Sequence, residues 1–271
     1  MEHMRLQPQT AEWYDRLAML QDGYFYPWRS QIGAWNGEDE YLALVRQHLR
    51  PDADVLDVAC GHGAVALEIA PLCRSVLGYD RTAAWIGLAQ QAAQERGLTN
   101  VTFVCHDSSA AANGGQVRVP AQDATFDLLI CSKGPFHWIE DARRLARPGA
   151  VLLMLVPDAT PVTAWRDRLP EAMRWQEAMN PHWARPAIEQ RLATVGVAVH
   201  SWWSFDVPEV FPDPEQLYTW LTWGYTPDEV PALAEVYPLL ERIFVEHGDS
   251  EGVAVRQRRY LWKAVVPGED N

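Results

Sequence analysis

The sequence has no apolar run long enough to cross a membrane, and basic residues are in the minority. Nowhere in its 271 residues are there the roughly 20 consecutive apolar residues that a transmembrane helix requires. Residues 1–21 also lack the apolar core of a secretory signal peptide, so we expect a cytoplasmic protein. Lys and Arg number 23 against 36 Asp and Glu, which gives a formal charge of -13. That charge repels phosphate backbones and anionic lipids, and it disfavours nucleic acid and membranes as partners.

Cysteine is scarce as well, and its spacing excludes a C-x-x-C motif and a metal site built from cysteines. The sequence has 4 cysteines, none of them in a C-x-x-C pair or in a spacing typical of metal ligands. Each lies in or beside an apolar segment, where a free thiol packs as a small apolar group. We therefore predict reduced, structural cysteines and no metal site. No cluster typical of a catalytic triad is present in the pattern either.

Short apolar runs alternate with helical segments over the first half of the chain. This alternation is typical of βαβ units, in which a parallel sheet is covered by helices on both faces. The sequence therefore predicts an α/β, doubly wound fold. The expected strands are Val55 to Val58, Ser75 to Tyr79, Val101 to Cys105, Phe126 to Cys131 and Ala150 to Val156.

Two segments rich in Trp, Tyr and Phe interrupt this pattern, at residues 1–45 and 200–250. We interpret them as additions around one core and not as separate domains. The predicted organisation is an N-terminal cap segment over residues 1–45 and a core over residues 46–271. A helical cap insertion is expected at about residues 207–250.

The stretch that bears most directly on function is VLDVACGHGAVA, from Val55 to Ala66. Its last six letters satisfy G-x-G-x-x-[GA], the loose pattern of a nicotinamide-binding loop, but Asp57 lies only four residues before Gly61. A carboxylate about 4–6 Å from a pyrophosphate opposes its binding by a few kcal/mol. Ligands of open α/β sheets bind at the carboxyl ends of the strands, where Asp80 and Asp107 also fall. This acidic edge favours a ligand with an ammonium or sulfonium group, such as S-adenosylmethionine.

On these residues the chain resembles the class I S-adenosylmethionine-dependent methyltransferases. VLDVACGHG is similar to their glycine-rich motif, with Ala59 in the first glycine position and Gly61 and Gly63 in the other two. SVLGYDRT is similar to the second motif of that family and NVTFVCHDSS to the third. VPAQDATFDLLICS and RRLARPGAVLLML resemble the segments that lead into the fourth and fifth strands. The motifs occur in the family's order and spacing.

The resemblance implies a Rossmann-like seven-stranded sheet in the order 3-2-1-4-5-7-6, with strand 7 antiparallel. It implies that Asp80 binds the two ribose hydroxyls of the cofactor and that Asp107 accepts a hydrogen bond from the adenine amino group. Arg29, in the N-terminal cap, is a candidate partner for the cofactor's carboxylate. The other residues that the resemblance assigns to S-adenosylmethionine, or to its product S-adenosylhomocysteine, are Asp57, Ala59, Cys60, Gly61, Gly63, Arg81, Ser108 and Cys131.

On the acceptor side, His137 in SKGPFHWIED follows the fourth strand, and it is a candidate general base or substrate-orienting residue. Tyr26, Trp28 and Trp138 are candidates for the wall of the acceptor site, because aromatic rings suit a flat or apolar ligand. We therefore predict methyl transfer to a small-molecule acceptor of apolar or aromatic character. The sequence leaves the acceptor atom and the oligomeric state open.

Three other functions remain open at this stage. The first is methylation of an rRNA or tRNA base, although SKGPF stands where amino-methylating enzymes usually carry [ND]-P-P-[FY]. The second is an NAD(P)-dependent oxidoreductase that uses the same glycine pattern. The third is a non-catalytic module that keeps the cofactor fold.

Overall fold

The computed structural model describes residues 10–174 and 181–268, which divide into two compact units. The first unit contains residues 10–36, 159–174, 181 and 205–258, and the second contains Gly37–Asp158, His182–Ser204 and residues 259–268. The expected boundary near residue 45 lies inside a helix of the second unit. Residues 159–174, which the sequence analysis did not assign to a cap, belong to the first unit.

The second unit alternates strands with helices. Its strands are β2 (Asp54–Val58), β3 (Ser75–Asp80), β4 (Val101–Cys105), β5 (Phe126–Ser132) and β6 (Ala146–Pro157), with parts of β7 (Val199–Phe211) and β8 (Val253–Val265). Its helices are α2 (Gly37–His48), α3 (Ala64–Ile69), α4 (Ala83–Glu95), α5 (Ile139–Leu145) and α6 (Arg185–Thr194), with a 3-10 turn at Ala70–Leu72.

The strands of this unit lie in the order β4-β3-β2-β5-β6-β8-β7. Strands β2 to β6 pair in parallel, and β8 runs antiparallel to β6. In the family's numbering this is 3-2-1-4-5-7-6, so the predicted fold class is confirmed, but the sheet has eight strands and not the predicted seven. A short eighth strand, which the sequence analysis missed, lies in the first unit. This strand, β1 (Gln31–Ile32), pairs antiparallel with the end of β7.

The central strands are mostly buried because helices cover both faces of the parallel sheet. All five residues of β2 are buried, and Leu56, Val58 and Leu129 are fully enclosed in the main core. The register places Val58 beside Tyr79 on one side and beside Cys131 on the other. Three loops therefore leave the sheet at one edge, which is where open α/β sheets bind ligands.

The first unit has a separate apolar core. Its elements are α1 (Ala11–Leu20), β1, α7 (Pro214–Leu221), α8 (Leu233–His247), 3-10 turns at Arg166–Arg168 and Glu171–Met173, and the remaining parts of β7 and β8. Asp213 caps α7 by accepting a hydrogen bond from the Gln216 N–H, and Pro214 occupies the first turn, where its missing N–H costs nothing. Trp165 and Leu169 from the 159–174 segment are buried in this core, so that segment packs with the first unit.

Of the helices that the structure describes, none combines the length and the apolarity needed to cross a membrane. Within residues 10–174 and 181–268 no group of three or more His, Cys, Asp or Glu side chains is arranged to hold a metal ion. The four cysteines are free thiols.

Candidate active site

The loop between β2 and α3 has a left-handed backbone at every second residue. The φ angles are 53° at Ala59, 56° at Gly61 and 79° at Gly63. Glycine adopts this conformation at no steric cost, which explains the two glycines of the motif. At Gly63 a Cβ atom would also lie 2.7 Å from the ring of Phe103. Ala59 occupies the same backbone region with a side chain, which costs about 1–2 kcal/mol.

Asp57 is enclosed beneath this loop, whereas the sequence analysis treated it as part of an acidic edge that meets the ligand. Its side chain belongs to a residue that is 3% exposed, and the carboxylate accepts a hydrogen bond from the Ala66 N–H of α3. The other oxygen, Oδ2, is buried and has no hydrogen-bond partner in the described part of the chain. Burial, and secondarily the nearby charge of Asp80, raises the pKa of the Asp57 carboxyl to about 7. Its negative charge is therefore incomplete at neutral pH.

Asp80, at the end of β3, holds the glycine loop against the sheet. Its Oδ2 accepts a hydrogen bond from the Gly61 N–H (2.9 Å), and its Oδ1 accepts one from the Thr82 N–H (2.8 Å). Burial raises the pKa of this carboxyl, and the two N–H donors oppose that shift. A carboxylate oxygen accepts more than one hydrogen bond, so both oxygens keep capacity for ribose hydroxyls. The assignment of Asp80 to the ribose stays a prediction.

Asp107 lies beyond the end of β4, in an exposed turn. Its Oδ1 accepts a hydrogen bond from the Ser109 N–H (2.9 Å). Burial raises the pKa of this carboxyl, but hydrogen bonds from Ser109 and the charges of Arg81 and His137 outweigh it, so the net pKa is lowered. Asp107 is therefore an ionised acceptor at neutral pH. Its contact with an adenine amino group stays a prediction, as does the role of Arg81, which is half-buried.

A chain of three hydrogen-bonding side chains runs from the sheet to His137. The hydroxyl of Tyr79 is 3.1 Å from the Ser108 hydroxyl, which is 3.0 Å from Nε2 of His137. Burial lowers the pKa of His137, against the opposing charge of Asp107, so the ring is neutral at pH 7. The structure thus brings together two predicted site residues, Ser108 and His137. The sequence analysis missed Tyr79, which looked like an ordinary strand residue next to Asp80.

The two cysteines of the predicted cofactor set have different positions. Cys60 is half-buried in the glycine loop, and burial strongly raises the pKa of its thiol. Cys131 is fully buried at the end of β5, and its sulfur lies beside Gly134. A Cβ at Gly134 would lie 2.7 Å from the Cys131 sulfur and 2.9 Å from Cβ of Ala59, so this glycine lets the two loops approach. The assignment of Cys60 and Cys131 to the cofactor stays a prediction.

Trp138 is not part of a ligand wall. It is fully buried at the start of α5 and stacks on Trp262 of β8, with ring centroids 6.3 Å apart and an angle of 11° between the planes. Its ring is covered by the core of the second unit, and no face remains for an acceptor. This position corrects the expectation from the sequence, which could not tell an inward-facing ring from an outward-facing one.

Three further candidates lie in the first unit. The Arg29 side chain is 80% exposed, with its guanidinium 3.8 Å from the Asp213 carboxylate. Tyr26 and Trp28 are half-buried and stack at a centroid distance of 4.8 Å. The indole N–H of Trp28 donates a hydrogen bond to the buried carboxylate of Glu209 (2.9 Å), which fixes the ring. The roles assigned to Arg29, Tyr26 and Trp28 stay predictions.

Comparison with known proteins identifies the family of the segment that carries the glycine loop. Residues 55–153 match the methyltransferase domain family. An uncharacterised methyltransferase of Bacillus subtilis, YcgJ, is 31% identical over 117 residues, which cover 43% of each chain. The 2-heptyl-1-hydroxyquinolin-4(1H)-one methyltransferase of Mycobacteroides abscessus is 35% identical over 130 residues, or 45% of this chain and 53% of that protein. The chain thus matches only about half the length of these curated relatives.

Solved structures extend the likeness of fold over most of the chain. A functionally unknown protein from Deinococcus radiodurans R1 superposes with a TM-score of 0.62 at 22% identity, covering 93% of this chain and 98% of that one. The crystal structure of YcgJ superposes with a TM-score of 0.54 at 16% identity, covering 84% and 99%. Residues 55–153 thus match a methyltransferase domain, as the resemblance in the sequence predicted, and the solved structures show that the fold is shared.

Proposed function

We propose that this protein transfers a methyl group from S-adenosylmethionine to a small apolar or aromatic acceptor. One observation carries the proposal: the left-handed loop of the second unit encloses Asp57, whose Oδ2 is buried without a hydrogen-bond partner among the described residues. A buried carboxylate oxygen is stabilised by a positively charged donor. The α-ammonium group of S-adenosylmethionine is such a donor.

The residues of the second unit fit this cofactor. Gly61 and Gly63 have no Cβ atoms, so a ligand can approach the loop backbone closely at these two positions. Asp80 is oriented by two N–H donors and has remaining capacity for ribose hydroxyls. Asp107 lies on the next loop along the same edge, as an ionised acceptor for an exocyclic amine. When bound, S-adenosylmethionine supplies an electrophilic methyl group on a positively charged sulfur.

In-line displacement asks little of the protein beyond position. The acceptor atom must be held about 3–3.5 Å from the methyl carbon and in line with the bond that breaks. The Tyr79–Ser108–His137 chain fixes the imidazole of His137 on the loop after β5. A neutral imidazole held in this way is suited to orient a polar group of the acceptor.

One comparison supports a flat apolar acceptor. The Mycobacteroides abscessus relative is named for a hydroxyquinolone substrate. We extend that class, planar molecules with an ionisable hydroxyl, to this chain.

The proposal is tested in two steps with the purified full chain. Calorimetry should detect S-adenosylhomocysteine binding that Gly61→Val abolishes, while NADH gives no signal. Methyl transfer from labelled S-adenosylmethionine is then measured with 2-heptyl-1-hydroxyquinolin-4(1H)-one, a panel of planar phenols, and tRNA. Binding of NADH in place of S-adenosylhomocysteine would identify an oxidoreductase. Methylation of tRNA with a steep salt dependence would identify an RNA enzyme, and tight binding without transfer would indicate a non-catalytic module.

A further inference from the structure

A second histidine, which the sequence analysis did not single out, is held by a buried carboxylate in the second unit. Nδ1 of His182 lies 3.1 Å from Oδ2 of Asp158, whose side chain is 2% exposed, whereas the histidine side chain is 36% exposed. The His182 backbone N–H also donates to both oxygens of Asp158, at 2.8 and 3.0 Å. Nε2 of the ring lies 3.3 Å from the Ser204 hydroxyl.

This geometry decides which ring nitrogen carries the hydrogen. An ionised carboxylate only accepts hydrogen bonds, so Nδ1 of His182 is the donor and Nε2 keeps its lone pair. The lone pair belongs to a side chain that is 36% exposed, and it faces the Ser204 hydroxyl. A buried carboxylate that fixes the tautomer of an imidazole is the arrangement by which a histidine acts as a general base.

The backbone of His182 is also strained, and its hydrogen bonds to Asp158 stabilise the strained conformation. Its φ angle is 59°, in the left-handed region. For a residue other than glycine this conformation costs about 1–2 kcal/mol, and such strain is concentrated at functional sites. The ring meets Tyr260 edge-on at 5.4 Å, which restricts its rotation.

The pair lies at the edge of the sheet where the other loops of the candidate site emerge. Asp158 directly follows β6, whose parallel neighbour β5 leads into the His137 loop. Trp183 contacts Phe136, with ring centroids 5.8 Å apart, so the residues beside the two histidines pack together. Both histidines therefore belong to the carboxyl edge of the sheet, where ligands of such folds bind.

We propose that Asp158 and His182 form the general-base pair for a hydroxyl acceptor, so that the reaction is an O-methylation; this rests on the methyl transfer proposed above. The acceptor O–H transfers its proton to Nε2 of His182 as the oxygen bonds to the methyl carbon. The carbon–sulfur bond breaks, and its electron pair goes to the sulfur, which becomes a neutral thioether. Asp158 stabilises the imidazolium that forms and remains ionised.

The two histidines differ in what holds them. Nε2 of His137 is engaged by Ser108, itself tied to the buried Tyr79 hydroxyl, and this chain contains no carboxylate. His182 has a carboxylate directly on the nitrogen opposite its lone pair. We therefore assign His137 to orientation of the acceptor and His182 to proton removal.

Two substitutions separate catalysis from structural support. In His182→Asn the amide N–H replaces Nδ1 and still donates to Asp158, but no basic nitrogen is present. In Asp158→Asn the amide oxygen must accept the hydrogen bond from the His182 backbone N–H, so the NH2 group faces the ring. It then donates to Nδ1 and imposes the Nε2–H tautomer, which has no lone pair at Nε2. His200→Asn is the matched control, because Nδ1 of this exposed histidine contacts only a serine hydroxyl, Ser201 (2.7 Å), among its described hydrogen bonds.

With the hydroxyquinolone or a planar phenol as acceptor, kcat should fall about 100-fold or more in both variants, with KM little changed and no loss in His200→Asn. Imidazole added to His182→Gly should restore part of the rate. In the ligand-free protein, 15N NMR should show His182 as the Nδ1–H tautomer, and Asp158→Asn should convert it to Nε2–H.

The outcomes distinguish the two proposals. A wild-type protein that binds no S-adenosylhomocysteine, or methylates nothing, overturns the proposed function. Methyl transfer that is unchanged in His182→Asn overturns the base assignment alone. An Nε2–H tautomer in the wild type overturns it whether or not an acceptor is found. Covalent labelling of Ser204 by a fluorophosphonate would also overturn it, because it would identify a hydrolytic triad.

Discussion

Replacing Asp57 by Asn should stabilise the ligand-free protein at pH 8 while it weakens cofactor binding. Burial raises the pKa of this carboxyl from 3.8 to about 7. A pKa difference of this size corresponds to on the order of 4 kcal/mol against the folded state once both forms are ionised. Asn keeps the acceptor for the Ala66 N–H but carries no charge, so this cost disappears.

The sign of the pH dependence follows from the raised pKa. The carboxyl contributes stability that is fully present below its unfolded pKa, near 4, and that is lost as the pH rises through about 7. The stabilisation by Asp57→Asn should therefore be small near pH 4, about 1.6 kcal/mol at pH 5, and at its full value above pH 7. In a protein of this size each kcal/mol moves Tm by about 2–4 °C.

Urea unfolding at pH 5 and pH 8 measures this difference directly. Asp52→Asn is a matched control, because it removes one negative charge from a side chain that is 76% exposed. The reasoning would be refuted if the stability of Asp57→Asn relative to wild type were no greater at pH 8 than at pH 5. Burial would then impose no cost on the ionised carboxylate.

The same carboxyl should make cofactor affinity pH-dependent. With a pKa of about 7, roughly nine-tenths of the carboxyls are protonated at pH 6 and about one-tenth at pH 8. Binding that needs the carboxylate should therefore weaken about tenfold from pH 8 to pH 6, with release of a proton. Calorimetry with S-adenosylhomocysteine in two buffers of different ionisation enthalpy counts that proton. An equal pH slope in Asp57→Asn would assign the effect to another group, such as Asp80 or His62.

Three further changes test the loop. Ala59→Gly should raise the free energy of unfolding by about 1 kcal/mol, because it relieves the left-handed backbone at φ 53°; urea titration would contradict this if the variant were less stable. Gly63→Ala should cost about 2–4 kcal/mol, from φ 79° and a Cβ 2.7 Å from the Phe103 ring, and Phe103→Leu should recover part of it. Asp80→Ala should weaken S-adenosylhomocysteine binding by about 1–3 kcal/mol, and an unchanged Kd would mean that the ribose binds elsewhere.

The sheet and the glycine loop were predictable because their signals are local. A buried parallel strand is a short apolar run, and a left-handed turn needs glycine, so both features are visible within a few residues of sequence. The order of the strands followed from the family resemblance that these local motifs carry. The extra edge strand at Gln31–Ile32 was missed because two exposed residues give no such pattern.

The acceptor side was less predictable because its geometry depends on residues far apart in the chain. Trp138 faces the core because Trp262, from the last strand, stacks on it, and no local pattern distinguishes that from a ring facing a ligand. Asp158 and His182 are separated by 24 residues and lie in irregular segments, so no helical or strand period links them. Their pairing is visible only in three dimensions.

The enclosed position of Asp57 changes how the loop distinguishes its ligands. With a pKa of about 7, the carboxyl is neutral in about half of the molecules at neutral pH. Protonating it fully, which removes its repulsion of a pyrophosphate, therefore costs only roughly 0.4 kcal/mol. Ionising it for a cation costs the same small amount, after which the ammonium donates a charge-assisted hydrogen bond in a site of low dielectric constant. Under the proposed function, preference for a cationic ligand therefore comes from the attraction between the ammonium and the carboxylate, and only slightly from repulsion of an anion. The Asp57→Asn variant should accordingly lose affinity for S-adenosylhomocysteine without binding NADH any more tightly.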